Sequence, residues 1–230
     1  MICRSVGQAL DVRRAMFLAR SKSHSGVTIE ERWYAPLHLP ELLVHEIEFD
    51  ATKVSPTTSR TLAVQLRGQW AADSIDLNQQ VLSIAPGFVG MIGNNRQPEL
   101  LSSKHTAIAV VANAPENTSV AINAGERRIL YYIQAFVSSL NSTNVKADAV
   151  AALQSALAAP AELLPAHEAA WASRVTTGGG LEVQGDLWLA QSINASLYFI
   201  RSSIRPDWPH GLSPGGLASN GYGGHTFWDQ

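Results

Sequence analysis

Apolar side chains recur at every second position over residues 27–140, and this period constrains the fold more than any other feature. A period of two is that of a β-strand with one face turned toward a core. Pro-Gly, Gly-Asn, Asn-Ala-Pro and Asn-Ala-Gly turns separate the predicted strands, which cover residues 43–49, 62–66, 80–85, 88–92, 106–112, 119–122 and 129–137. Short strands at regular intervals predict an antiparallel β-sandwich. The last strand is apolar on both faces, so we expect it inside a sheet.

Alanine and leucine become frequent after residue 141, and the apolar period changes to that of an α-helix. Helical spacing holds until Pro160, and a second helix is predicted over residues 166–174. Asp186 stands where the N-cap of a third helix is expected, over residues 187–204. Because this third helix is apolar around much of its circumference, we expect it to be buried among other helices.

Residues 1–26 show no single clear pattern. Val6, Leu10, Arg13 and Phe17 have the spacing of a short helix, and a poorly defined start fits equally well. Scattered charges interrupt this segment, and it has no continuous apolar stretch like that of a signal peptide.

Composition excludes several classes of function. A net charge of -2 offers no basic surface for nucleic acid or anionic membranes, and no apolar run approaches the roughly 18 residues of a membrane helix. Cys3 is the sole cysteine, so an intrachain disulfide is impossible. We therefore expect no nucleic-acid partner, no membrane partner and no cofactor. Reducing, cytoplasmic surroundings are slightly favoured, against the secretion suggested by glycosylation sequons at Asn117, Asn141 and Asn194.

Residues 210–230 carry the pattern with the clearest chemical meaning. Six glycines leave little side chain to pack and allow a backbone to approach a ligand closely. His225, Phe227, Trp228 and Asp229 follow within five residues. An aromatic plane covers the apolar C–H face of a sugar, and a carboxylate accepts hydrogen bonds from its hydroxyls. These four residues are the candidate substrate-binding residues, with a small carbohydrate as the expected ligand.

Other interpretations of this segment compete. Trp228 and Asp229 could be a core tryptophan and a helix N-cap. Asp207, His210 and His225 could join Asp229 as metal ligands, but their spacing matches no known zinc pattern, so no metal is predicted. The glycines lack the Gly-Lys-Ser/Thr sequence of a phosphate-binding loop.

Two stretches of this region resemble glycoside hydrolase family 65. They are Gly-Leu-Ser-Pro-Gly-Gly-Leu-Ala-Ser-Asn-Gly at 211–221 and Gly-His-Thr-Phe-Trp-Asp-Gln at 224–230. Glu-Val-Gln-Gly-Asp-Leu at 182–187, His167 and Trp171 also look like the family. The family includes acid trehalases, kojibiose and maltose phosphorylases, and protein-glucosylgalactosylhydroxylysine glucosidases, whose motifs are the most similar. The resemblance is clear over about residues 160–230, weaker over 27–140 and absent over 1–26.

The resemblance implies an N-terminal β-sandwich, a helical linker and an (α/α)6 barrel followed by a small β domain. It divides the chain into an undefined N-terminus at 1–26, a sandwich at 27–140, a linker at 141–180 and the start of a truncated catalytic barrel at 181–230. The order agrees with the order of periods along the sequence.

In the family, the Trp-Asp pair lines the pocket of the glucosyl unit that is released, and we carry this over to Trp228 and Asp229. The general acid and the carboxylate that activates water come from later barrel loops, so no catalytic residue is assigned in this chain. Inversion needs two carboxyls about 6.5–9.5 Å apart.

We therefore expect the N-terminal portion of an inverting glycosidase for terminal α-linked glucose, inactive without the remainder of the barrel. The implied substrate is glucosylgalactosyl-hydroxylysine. An acid trehalase-like fragment, a phosphorylase relative and a non-catalytic sugar-binding or interaction module stay open as alternatives.

Overall fold

The structure is a computed structural model that describes residues 4–54, 60–64, 77–98, 104–113, 118–178, 181 and 183–204. Its strands are β1 (Arg4–Asp11), β2 (Met16–Lys22), β3 (Thr28–Tyr34), β4 (Leu42–Asp50), β5 (Arg60–Val64), β6 (Leu77–Ala85), β7 (Phe88–Asn95), β8 (Ala107–Asn113), β9 (Thr118–Ile122) and β10 (Arg127–Ser138). Its α-helices are α1 (Val145–Ala158), α2 (Leu163–Thr177) and α3 (Leu187–Ser203), with a 3-10 turn at Pro160–Glu162.

Eight of the strands form one antiparallel sheet in the order β1-β2-β3-β4-β10-β8-β7-β6, and β5 pairs with β9 in a second sheet. The strand predicted to be internal is β10, which pairs with β4 on one side and β8 on the other. Ile133 and Ala135 on this strand are fully buried. The prediction of an inner strand is confirmed, because hydrogen-bonded strands lie on both sides of β10.

One face of the large sheet, here called the helix face, packs against α1. Val44 of β4 and Ile133 of β10 share a core with Ala149 and Leu153 of the helix. Alanines on the buried side of α1 let its backbone approach the sheet closely. Burial of this apolar surface stabilises the fold by roughly 25 cal/mol per Å².

The opposite face of the large sheet packs against the small sheet. Ile47 and Phe49 of β4 share a second core with Val120 and Ile122 of β9. Strand β4 therefore places apolar residues on both of its faces, which is why it alternates only partly in sequence. Two packed antiparallel sheets confirm the predicted β-sandwich.

The short helix considered for residues 1–26 is wrong. The structure forms an antiparallel hairpin there, in which Leu10 lies opposite Phe17. Ala15 turns the chain at a positive φ of 52°. Met16 is buried in the helix-face core, whereas Phe17 points to the other side of the sheet. Leu10 and Phe17 are seven positions apart, which is the length of two helical turns. In the structure these seven positions contain the turn of the hairpin instead.

The three predicted helices are present. Helix α2 is longer at both ends than the predicted 166–174, and Pro165 lies in its first turn, where a missing N–H costs little. At the N-cap of α3, the Leu189 backbone N–H donates to Asp186 Oδ1 at 2.9 Å. The predicted start of this helix is confirmed, and its end differs by one residue.

The expected burial of α3 is wrong for the described structure. None of its residues is buried, and the side chains of Leu187 and Trp188 are each 74% exposed. An apolar helix is buried only where neighbouring elements cover it, and the described elements cover just one stripe that includes half-buried Ile193 and Leu197.

Contacts divide the chain into two compact units. The first comprises Met1–Asp11 and Met16–Trp171, and the second comprises Val12–Ala15 and Ala172–Gln230. The first contains the sandwich and α1, and the second contains α3. The domain boundaries at 27–140, 141–180 and 181–230 stay predictions.

Candidate functional site

The four predicted substrate-binding residues, His225, Phe227, Trp228 and Asp229, lie outside the described residues, which end at Ile204. Their roles therefore stay predictions. Asp207 and His210 of the metal alternative also lie outside that part of the chain.

A contact within the second unit holds Ile204, the last described residue, at the end of α3. Helix α3 ends at Ile204, whose backbone is extended. The Arg174 guanidinium, in the last turn of α2, donates to the Ile204 carbonyl. Basic side chains stabilise helix C-termini by satisfying carbonyls that have no partner in the helix. The end of α3 at Ile204 is thus held by α2.

Among the described residues of the first unit, a largely buried set of charged side chains forms the Arg32 cluster, defined as Arg32, Glu30, Glu46 and Glu48. Its guanidinium contacts Glu46 Oε1 at 2.5 Å, Glu30 Oε1 at 2.6 Å and Glu48 Oε2 at 2.7 Å. Strand alternation puts Glu30 and Arg32 on one face of β3. The register with β4 then places Arg32 opposite Glu46, and Glu30 opposite Glu48. The whole cluster lies on the helix face of the sheet.

The charges in the Arg32 cluster support one another. Burial alone would lower the pKa of Arg32, but the hydrogen bond to Glu48 and the negative charges of Glu30 and Glu46 raise it on balance. Glu46 is only 3% exposed. A carboxylate buried to this degree is costly unless a cation pairs with it. Arg32 therefore makes the burial of Glu46 possible.

Two exposed arginines extend the network outward. Arg20 Nε lies 3.5 Å from Glu30, while Arg127 lies 3.1 Å from Asp50 and 4.0 Å from Glu48. Both arginine side chains are more than half exposed, so solvent screens these contacts and each adds little stability. Arg32 is the cation on which the buried carboxylates depend.

The chemistry of the Arg32 cluster is structural rather than catalytic. A general acid or base must exchange a proton with a substrate within hydrogen-bond reach. Each of the three carboxylates in the cluster instead contacts the same guanidinium. The three carboxylates of this cluster therefore do not form the open, facing pair that an inverting glycosidase needs.

The other face of β3 and β4 carries the Trp33 cluster, defined as Trp33, His45, Glu31, Phe17 and Tyr132. The His45 ring stacks on Trp33 at 4.3 Å between centroids, and its Nε2 lies 2.9 Å from Glu31 Oε2. Phe17 packs on Trp33 at 5.6 Å, and Tyr132 lies 6.2 Å from His45. Protein rings already contact the indole, so it is a packed ladder and not an open sugar platform.

His167 of α2 packs against residues of the sandwich. Its ring stacks on Tyr34 at 5.2 Å, and its Nδ1 accepts a hydrogen bond from the Leu37 backbone N–H at 3.3 Å. His167 and Trp171 are both buried. The motif residues of α2 therefore join this helix to the first unit.

Tyr34 provides a test of this packing. Its hydroxyl is buried without a hydrogen-bond partner among the described residues, and burial raises the pKa of the phenol, with Glu46 adding to the rise. A buried hydroxyl with no partner costs free energy. We expect Tyr34→Phe to raise the free energy of unfolding by up to about 1 kcal/mol in urea denaturation. A loss of stability in this variant would show that the hydroxyl has a partner.

No group of three or more His, Cys, Asp or Glu side chains in the described ranges could hold a metal ion. Among the helices of the described residues, none alone is long and apolar enough to cross a membrane. Helix α1 and the segment Pro160–Thr177, which meet at a bend of 83°, have the length and the apolar composition of a membrane span only when they are taken together.

The Arg32 cluster was missed in the sequence interpretation. The available signal was the pair of patterns Glu-x-Arg at 30–32 and Glu-x-Glu at 46–48, which place charges on the same face of two strands. Only the register of β3 with β4 brings the patterns together, and sequence periodicity does not fix register.

Curated relatives cover almost the whole chain. A protein-glucosylgalactosylhydroxylysine glucosidase of Dictyostelium discoideum is 30% identical over 227 residues, which span 96% of this chain and 31% of that protein. The Mus musculus protein of the same name is 29% identical over 234 residues, spanning 96% and 32%. A kojibiose hydrolase of Flavobacterium johnsoniae is 24% identical over 244 residues, spanning 96% and 35%. The chain thus spans about a third of the length of these relatives.

Among solved structures, a protein named as a kojibiose phosphorylase from the human microbiome matches 96% of this chain and 32% of its own, with a TM-score of 0.69 and 14% identity. This likeness confirms the fold class. No protein-family model matches the chain. By its similarity over 96% of its length, the chain is a homologue of the protein-glucosylgalactosylhydroxylysine glucosidases and kojibiose hydrolases of glycoside hydrolase family 65.

Proposed function

We propose that this chain is the N-terminal portion of an inverting glycosidase that removes terminal α-linked glucose. The observation that carries the proposal is the 30% identity over 96% of the chain to a glucosidase of Dictyostelium discoideum. The homologues indicate a glycoside hydrolase acting on a carbohydrate ligand. The glycosidic linkage, the substrate and the stereochemical outcome are the statements that the experiments below test.

In this proposal, the glucosyl unit is bound by the four residues at the end of the chain. Trp228 and Phe227 supply aromatic planes for the C–H face of the sugar. Asp229 accepts hydrogen bonds from its hydroxyls, and His225 orients the segment or contacts the sugar.

The general acid and the base belong to another part of the protein in this proposal. The curated relatives are about three times as long as this chain. Three carboxylates of the sandwich, in the Arg32 cluster, are bound to a guanidinium and unsuited to proton transfer. The chain alone is therefore expected to bind sugar without cleaving it.

Glucosylgalactosyl-hydroxylysine is the proposed substrate. Proteins named as glucosidases of this glycan, from Dictyostelium discoideum and Mus musculus, match the chain at 30% and 29% identity. The kojibiose hydrolase is less similar, at 24%. Kojibiose is therefore the second candidate substrate. A trehalase-like or phosphorylase parent and a non-catalytic module have less support.

The proposal is tested first with the purified chain and then with a chimera, in which the effect of Asp229→Asn is measured. The purified chain should release no glucose from glucosylgalactosyl-hydroxylysine or kojibiose. A chimera in which the chain replaces the matching third of the Dictyostelium discoideum glucosidase should release glucose from the hydroxylysine glycan. Because Asp229→Asn removes a charged hydrogen-bond acceptor, we expect kcat/KM of the chimera to fall at least about tenfold.

Asp186→Asn is the matched control. Asparagine caps a helix as well as aspartate does, so this variant should keep the kcat/KM of the chimera. Release of glucose by the chain alone that survives Asp229→Asn would contradict the proposal. Product whose anomeric configuration is retained, as seen by proton NMR, would contradict the inverting mechanism.

A further inference from the structure

A hollow of about 420 Å³ lies on β6 and β7, far in sequence from the predicted glucose site. Its volume falls within the range of roughly 300–1,000 Å³ that small-molecule sites occupy. Strand β6 is the last strand of the large sheet, at the end opposite β1. This β6–β7 hollow, defined by Asn78, Gln80, Ile92 and Asn94, belongs to the first unit.

The amide groups of the hollow are available for a ligand. The side chains of Asn78, Gln80 and Asn94 are exposed and make no hydrogen bond within the described part of the chain. Asn113 shows the contrasting, structural use of an amide. Its Nδ2 donates to the Tyr131 carbonyl at 2.9 Å, and its Oδ1 accepts from the Ile133 N–H at 2.7 Å.

Strand register gathers these groups on one face. Asn78 lies directly opposite Asn94, and Gln80 lies opposite Ile92. In a sheet, the Cβ atoms of two residues opposite each other are about 5 Å apart, and the Cβ atoms of alternate residues on one strand are about 7 Å apart. Three amides thus stand at the corners of a triangle, with an apolar side chain as the fourth position.

Gly93 permits this arrangement. A Cβ atom at Gly93 would lie 2.3 Å from the Asn78 carbonyl oxygen and 2.9 Å from Gln79 Cα, closer than real contacts allow. Glycine therefore lets β6 and β7 approach at the centre of the hollow. The amides of the two strands are brought within reach of one ligand.

The lining selects a class of ligand. An amide offers two donors and an acceptor, and a hydroxyl offers one donor and two acceptor positions, so amides and hydroxyls pair in either direction. Ile92 can cover an apolar C–H face. None of the described lining residues is acidic, and the lone arginine, Arg96, is already engaged in another interaction. The chemistry therefore favours a neutral polyhydroxyl ligand over an ion.

We propose that the β6–β7 hollow is a second saccharide-binding site, which holds a neutral sugar unit without cleaving it. Asn78, Gln80 and Asn94 bind hydroxyls, and Ile92 covers the ring. The inference goes beyond the proposed glycosidase activity and does not depend on it, because it uses none of the residues at the end of the chain.

The test is isothermal titration calorimetry, in which the full 230-residue chain is titrated separately with glucose, kojibiose and sodium sulfate. We expect saturable binding of a sugar and none of sulfate. Asn78→Ala combined with Asn94→Ala should weaken sugar binding about tenfold or more, because two hydrogen-bonding groups are lost. Gln154→Ala, which removes an exposed amide from α1, is the matched control and should bind as the unmodified chain does.

Asp229→Asn separates this site from the predicted glucose pocket. Sugar binding that survives Asp229→Asn and is lost in the double variant supports the hollow. Binding that is lost with Asp229→Asn but unchanged in the double variant overturns this inference and supports the proposed function. Absence of saturable sugar binding, or binding of sulfate alone, also overturns it. Should the double variant fail to fold by circular dichroism, Gln80→Ala provides the same test.

Discussion

Replacing Arg32 with methionine is expected to lower the free energy of unfolding by about 3–5 kcal/mol at pH 7. The substitution keeps much of the side-chain volume but leaves Glu30, Glu46 and Glu48 without the cation that contacts all three. Breaking a buried ion pair by removing one partner costs this much because the remaining charge is left buried and unpaired. Urea denaturation followed by far-ultraviolet circular dichroism measures the loss.

Arg20→Met is the matched control. Arg20 also contacts Glu30, but its side chain is 62% exposed, so its loss should cost below about 1 kcal/mol. Equal costs for the two variants would contradict the role given to Arg32.

The period of two over residues 27–140 predicted the sandwich, because alternation within a strand is a local property of the sequence. A strand such as β10, with apolar residues on both faces, is expected where other elements cover both faces of the sheet, whatever those elements are. The N-cap of α3 was predictable for the same reason, since Asp186 bonds to a backbone N–H only three residues away. Features of this kind need no knowledge of how distant segments meet.

The N-terminal hairpin and the Arg32 cluster were not predictable in this way. The hairpin has a turn at Ala15, a residue that rarely takes positive φ, so no glycine or asparagine marked it. The cluster depends on the register of β3 against β4, which the periodicity of the two strands does not fix. Sequence alone showed four charged residues in two strands and gave no reason to bring them together.

The predicted sugar site depends on sequence for a different reason. Trp228 and Asp229 follow a segment of glycines, which impose no period that a fold prediction could use. Their suggested role came from the chemistry of an aromatic plane beside a carboxylate and from the motif that resembles the family. The structure contributes only the contact that holds the end of α3 at Ile204.

Replacing Phe49 with alanine is the second change expected to have a large effect, about 3–5 kcal/mol in the free energy of unfolding. Phe49 is 2% exposed in the core between the large sheet and the β5–β9 sheet. Truncation removes its transfer free energy and leaves a cavity beside Val120 and Ile122. Phe136→Ala makes the same chemical change on the same sheet face, but its ring is 43% exposed.

We expect Phe136→Ala to cost less, about 1–2 kcal/mol, because its ring is already partly exposed and loses less burial. Phe49→Ala should also speed amide hydrogen exchange in β9 more than in β8, since β9 is held to the large sheet through the core that contains Phe49. Urea denaturation and hydrogen exchange measured by mass spectrometry test both statements. Similar costs for the two variants, or faster exchange in β8 than in β9, would mean that the small sheet is not what covers this face. The sandwich would then have to be closed by another part of the chain.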